Sequence, residues 1–187
     1  MKESPVATRR KTANQSVLEQ QERRQFLTFL LGEEVFAIGI LVIKEIIEYG
    51  NVTAVPMMPG FVRGVINLRG SVVPVVDLSA RFGRKPVQRT RRTCIIIIEV
   101  EDEGERQDIG LVVDAVNAVV EIADDQIEPP PAFGARIRSD FIEGMGKVND
   151  KFVIILNADK VLSTTDLSML RNGAYAWEEH SAAAVAE

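Results

Sequence analysis

The sequence has little of what catalysis and secretion need. It has one cysteine, Cys94, one histidine, His180, and one tryptophan, Trp177, among 187 residues, and aromatics make up 6%. A single cysteine excludes an intrachain disulfide and a thiolate metal cluster. It suits a reducing compartment, so the cytosol is expected. A lone histidine leaves a Ser-His-Asp or Cys-His site without a general base in the folded region. The N-terminus, MKESPVATRRKTANQS, carries no apolar core of a secretory signal. The longest apolar runs, such as Cys94–Ile98 and Phe152–Leu156, fall far short of the roughly 20 residues that span a bilayer, so no membrane insertion is expected. Net charge is −5. That balance lacks the basic footprint of a nucleic-acid or anionic-membrane binder.

Other catalytic constellations are equally thin. Cys94 precedes Ile95-Ile96-Ile97-Ile98 and reads as a small hydrophobe, because a reactive thiol needs an electropositive, exposed setting. Asp77 and Asp114 each follow a Val-Val pair. Asp77 is expected to end a strand and cap the short turn at Ser79–Phe82. The glycines match neither a phosphate loop nor GxGxxG. No enzyme activity, metal or cofactor is expected.

What is present is a succession of short apolar runs punctuated by turn residues. Residues 1–24 are polar, with basic clusters at Arg9-Arg10-Lys11 and Arg23-Arg24, and read as a flexible tail. Strands are expected at Phe26–Leu31 and Val35–Ile40, then a helical turn and strand over Val42–Ile47, a proline-rich loop over Asn51–Gly60, and strands at Phe61–Leu68 and Ser71–Leu78. Pro74 lies inside the last of these, which predicts an edge strand or a bulge. After the polar connection 84–92 a second set of strands begins near 93: Thr93–Val100, Asp108–Val113, Val116–Ile122, Phe141–Val148 and Phe152–Leu156. Glu101–Gln107 reads as a hairpin loop. Ala158–Leu162 and Asp166–Leu170 read as helical, and 171–187 as a flexible tail.

The two sets are related. Residues 60–82 align without gaps on residues 140–162 at an offset of 80, so Phe61 meets Phe141, Gly64 meets Gly144, Asp77 meets Asn157 and Phe82 meets Leu162. A weaker echo pairs Ile38–Val42 with Ile109–Val113 at offset 71. Repetition of short strands without long helices predicts a mainly β protein built of two related five-stranded barrels.

Three segments resemble the CheW family. They are FAIGILVIKEIIEYGNVTAVPMMPGFVRGVINLRGSVVPVVDLSARFG (36–83), IGLVVDAVNAVVEIADDQIEPPPAF (109–133) and FIEGMGKVNDKFVIILNADKVL (141–162). The specificity lies in their order, including Glu45-Ile46, Asn67-Leu68-Arg69-Gly70 and Asp77-Leu78, over residues 25–170. The resemblance implies two intertwined barrels around a shared core, with short helices and no catalysis. It implies a chemotaxis adaptor that scaffolds signalling arrays, binding the cytoplasmic tip of chemoreceptors and the regulatory domain of the histidine kinase CheA. By motif position, Ile43, Glu45 and Arg69 would face the receptor. Thr93, Cys94 and Ile95 would form an exposed apolar sheet end facing the kinase, with Glu128 and Phe133 as a second kinase contact. Glu128 stands where the family often has a basic residue. The short coupling protein fits better than a form fused to a receiver domain, and recruitment beneath the inner membrane would run through the receptor arrays. The rival classes are weaker. One is a β-barrel nucleic-acid binder, which would need a basic face with interleaved aromatics; another is an interaction module outside chemotaxis.

Overall fold

The computed structural model describes residues 22–130 and 138–173. Among these residues eleven strands run in chain order: β1 Arg23–Leu31, β2 Glu34–Gly39, β3 Ile43–Glu48, β4 Val62–Leu68, β5 Ser71–Asp77, β6 Cys94–Asp102, β7 Glu105–Val113, β8 Ala115–Ala123, β9 Ile127–Glu128, β10 Ile142–Val148 and β11 Lys151–Leu156. Helix α1 covers Leu78–Arg81, and helix α2 begins at 164 and takes up the rest of the described residues. The strands form two sheets, ordered β8-β1-β2-β11-β10-β9 and β3-β6-β7-β5-β4.

The second sheet repeats the first five positions of the other. The opening hairpin β1-β2 occupies the place that β6-β7 takes, β8 the place of β3, and β11-β10 the place of β5-β4. Each opening hairpin therefore lies among strands from the other half of the chain. The expected mainly β fold with two related units is present. The expected closed five-stranded barrels are not: the sheets have six and five strands and keep free edges.

The 80-residue offset is a register identity. β4 pairs with β5 through Val62↔Val76 and Gly64↔Val75, which leaves Arg63 as the extra residue of a bulge. β10 pairs with β11 through Ile142↔Leu156 and Gly144↔Ile155, which leaves Glu143 in the same position. The parallel partners match as well, Val75↔Gly110 in one sheet and Ile155↔Ala37 in the other. That pairing sets the β2-to-β7 offset at 73, so the echo at 71 was two residues out of phase. A slip of two keeps every side chain on its face, which is why it looked acceptable in the sequence.

Several boundaries differ from expectation. β1 begins at Arg23 and so includes the second basic cluster assigned to the tail. β6 and β7 meet in a two-residue turn, where Glu103 and Gly104 both have positive φ (51° and 80°), in place of a longer loop. Ala158–Leu162 forms turns without a helix. β5 is an interior strand despite Pro74. Val65, opposite Pro74, turns its backbone N–H and C=O to Thr53 (2.8 and 2.9 Å). The missing N–H of Pro74 therefore faces β7, and the parallel ladder starts one residue later, at Val75.

The core fills the space where the two halves interlock. Phe29, Phe36, Phe82 and Phe141 form a file of rings with centroids 5.8–6.1 Å apart. Offset aromatic contacts of this kind add to the area they bury. The guanidinium of Arg81 lies over both Phe61 (4.9 Å) and its repeat partner Phe141 (4.8 Å), on the join between the halves. Among the described residues, no helix is long and apolar enough to cross a membrane.

Candidate functional site

The turn joining β4 to β5 consists of Arg69 and Gly70, with φ of 53° and 88°. Two positive φ values in a two-residue loop are what a type I′ hairpin requires. Asn67 Oδ1 braces it by accepting the Gly70 N–H at 2.9 Å. Gly suits such a backbone, whereas arginine in the left-handed region carries strain of order 1 kcal/mol. The side chain that accepts this strain is 78% exposed, and its fork donates two parallel bonds to Glu45, at 2.9 and 3.0 Å. Glu45 lies on β3 immediately after Lys44, the extra residue of a bulge in the β3–β6 pairing. Two residues 24 apart in sequence thus meet as a planar bidentate pair, a geometry that Arg supports and Lys does not.

Around the pair lies a charged lattice. Lys44 Nζ donates to both oxygens of Asp108 (2.8 and 3.0 Å) and sits 3.2 Å from Glu99. Bonding to Asp108, then to Glu99, raises the Lys44 ammonium above its ordinary pKa, so it stays charged through the neutral range. Arg106 approaches the other Glu99 oxygen at 3.4 Å. An open groove is lined by Lys44, Glu45, Leu68, Arg69, Ser71, Val73 and Asp108. Ile43, at the start of β3, is half-buried and packs on the core. Ile43, Glu45 and Arg69 are therefore on one end of one sheet.

The residues expected at the kinase-facing edge are arranged differently. Thr93 and Ile95 are 3% and 0% exposed, so the expected exposed sheet end is absent at both. Thr93 Oγ1 accepts the Thr90 N–H (2.8 Å) and donates to the Gln88 carbonyl (3.2 Å). Ile95 packs against Gly110, where an added Cβ would come within 2.7 Å of an Ile95 methyl. Only Cys94, half-buried opposite Glu48 of β3, remains partly available from that trio. A continuous apolar run such as Cys94–Ile98 gives no period from which facing could be read. Glu128 is exposed on β9, at the edge of the other sheet, opposite Met145. Phe133, like Trp177 and His180, lies outside the described residues.

Asp77 does more in the structure than its expected role as a cap. Asp77 is 1% exposed. One oxygen accepts the Ala80 N–H (3.0 Å) as the cap of α1, as expected; the other accepts Val87 N–H (2.9 Å) and two guanidinium bonds from Arg63 (2.9 and 2.8 Å). Arg63 also donates to the Val87 carbonyl. This hub ties the connection 84–92 to the end of β5. Among the described residues no group of three His, Cys, Asp or Glu side chains could hold a metal ion.

Comparison with known proteins agrees with this architecture. A CheW-like domain model matches residues 25–166. The chemotaxis protein CheW of Klebsiella aerogenes is 34% identical over 149 residues, covering 80% of this chain and 87% of that protein. A probable chemotaxis protein CheW of Rhizobium etli is 33% identical, covering 78% and 92%. The crystal structure of the scaffolding protein TtCheW from Thermoanaerobacter tengcongensis aligns with a TM-score of 0.70 at 34% identity, over 79% of this chain and 93% of that one. By sequence and by fold, the chain belongs to the CheW-like domain family, a family of chemotaxis scaffolds and adaptors.

Proposed function

We propose that this chain couples chemoreceptors to the histidine kinase CheA, acting as a non-enzymatic scaffold that places the kinase under receptor control. The observation that carries the reading is the Arg69–Glu45 pair. A strained, exposed arginine at a turn tip does little for the fold, and its held fork is suited to carboxylate or carbonyl acceptors on a receptor hairpin. Glu45 aims the fork, and Ile43 offers half-buried apolar surface beside it. The kinase would meet the far end of β3, where Cys94 is half-buried and partly accessible and Thr93 and Ile95 hold the strand in place beneath it. Glu128, with Phe133, would make a second kinase contact at the edge of the other sheet. The protein would work in the cytoplasm, brought under the inner membrane by receptor arrays.

The test compares two pull-downs of one variant. Losing a charge-assisted hydrogen bond at an interface costs about 1.5–3 kcal/mol, or more than tenfold in affinity. Arg69→Ala should therefore bind the kinase normally and fail to bring it to receptors. Retained receptor binding, or loss of both partners together, refutes the assignment of this turn.

A further inference from the structure

Among the described residues, the connection 84–92 (RKPVQRTRR) is where this acidic chain leaves arginines uncompensated. Among the described residues, every arginine outside this segment lies within 4.0 Å of a carboxylate, down to the fully surface-borne Arg138–Asp140 pair. Within it, Arg84 reaches Glu34 at 2.8 Å. Arg89, Arg91 and Arg92 are exposed and reach no carboxylate among the described residues, and the neighbouring Lys85 is likewise exposed.

These cations are mounted on a fixed backbone. Val87 is buried and its N–H and C=O are held by Asp77 and Arg63. Ser79 Oγ donates to the Lys85 carbonyl at 2.6 Å. Thr93 Oγ1 holds both Thr90 and Gln88, and Thr90 Oγ1 accepts the Arg92 N–H at 3.1 Å. The Arg89 guanidinium lies over the Tyr49 ring at 5.4 Å, with Arg63 also near that ring at 5.7 Å. An open depression runs between Glu48, Tyr49, Arg89, Thr90, Arg91 and Thr93. It adjoins Cys94, since the Tyr49 N–H donates to the Thr93 carbonyl. Along β3 it is three residues from Glu45, or roughly 10 Å.

We infer that the connection 84–92 is a preorganised docking surface for an acidic polypeptide segment of the kinase regulatory domain, continuing the edge at Cys94. The inference rests on the kinase-scaffold reading above and names the chemistry of that contact. Arginine forks on a held backbone suit carboxylates, because little freedom is lost on binding. A short acidic segment feels this patch within a screening length of about 8 Å. An extended polyanion, such as a nucleic acid or an anionic bilayer, would also face the acidic remainder of a chain with net charge −5.

The experiment uses the full chain and the regulatory domain of the CheA encoded in the same genome, titrated across a range of salt. R89E/R91E/R92E should lower kinase affinity at least tenfold at low salt and flatten its salt dependence, while receptor pull-down persists. R91E/R92E spares the Arg89–Tyr49 contact and should show the same trend if the triple variant melts early. Unchanged affinity and salt slope in R91E/R92E, beside lost binding in Cys94→Asp, would overturn this surface and leave the scaffold reading standing. Sedimentation of the parent, and not of R91E/R92E, with vesicles containing phosphatidylglycerol would overturn it in favour of a lipid surface. A parent that does not bind the kinase at all would sink both readings.

Discussion

The hairpin β4–β5 and the hairpin β10–β11 have the same register and the same bulge, yet they have been put to different uses. In the first, the turn is Arg69-Gly70; in the second it is Asn149-Asp150, with φ of 50° and 61°. Asparagine suits that backbone and arginine does not. Glu45, the partner of Arg69, is opposite Ile97, and the residue in the matching place of the other sheet is Ala118, opposite Thr28. The bulge residue is Arg63 in one hairpin, bonded inward to Asp77, and Glu143 in the other, bonded to Arg24 on β1. Two copies of one backbone thus separate what the fold requires, which both keep, from what only one needs. The ion-paired tip belongs to the second category.

Two substitution pairs and one single substitution test that division. The largest effect is expected at the strand ends. Asp77→Ala removes a cap and strands a partly buried Arg63, so it should cost about 3–5 kcal/mol. The side-chain oxygen of its twin Asn157 accepts the Asp159 N–H, at 3.1 Å, and Asn157→Ala should cost about 1 kcal/mol. Urea denaturation of the two variants measures the gap, and equal losses would mean that the hub at Asp77 is not special. Next come the glycines. Gly64 has φ of 144°, and an added Cβ would fall 2.0 Å from the Thr53 carbonyl oxygen. Gly144 has no such φ, and its nearest obstacles are an Ile127 methyl at 2.7 Å and the Glu128 carbonyl oxygen at 2.8 Å. Gly64→Ala should lose about 3 kcal/mol, more than Gly144→Ala, in the same assay. The smallest effect on the fold is expected at the tip. Arg69→Asn makes the first turn resemble the second. Relief of left-handed strain and loss of an exposed ion pair oppose each other, so stability should stay within about 0.5 kcal/mol. A thermal melt that drops clearly would make Arg69 a structural residue.

The repeat of residues 60–82 at 140–162 was legible because hairpins are local: turn residues, alternation and length sit within some twenty positions. The exchange of opening hairpins was foreshadowed only by the intertwined units that the resemblance implied, because it is decided by pairings such as Thr28↔Ala118 and Glu45↔Ile97, which no local pattern encodes. Pro74 misled for the same reason, since its harmlessness depends on where β7 begins. β9 is two residues long beside a run of prolines and carries no period at all. At the site, composition discouraged a catalytic reading. Glu45 and Arg69 became candidates through resemblance, and their bidentate contact follows from a fold that brings β3 and the β4–β5 turn to one sheet. Thr93 and Ile95 show the limit of a motif: position in a pattern says nothing about which way a side chain points.

The interlocked sheets carry a consequence for ancestry. A single unit of the β1–β5 type, made alone, would have its opening hairpin and its later strands in search of partners that here come from the other half. It could complete its sheets by associating with a second copy, each lending the other its hairpin. Joining two such copies through a linker like 84–92 turns a concentration-dependent meeting into one with a local concentration on the order of millimolar. From then on the halves no longer need identical surfaces. One turn could become Arg69-Gly70 while the other kept asparagine, so an object of equal faces gained a front and a back.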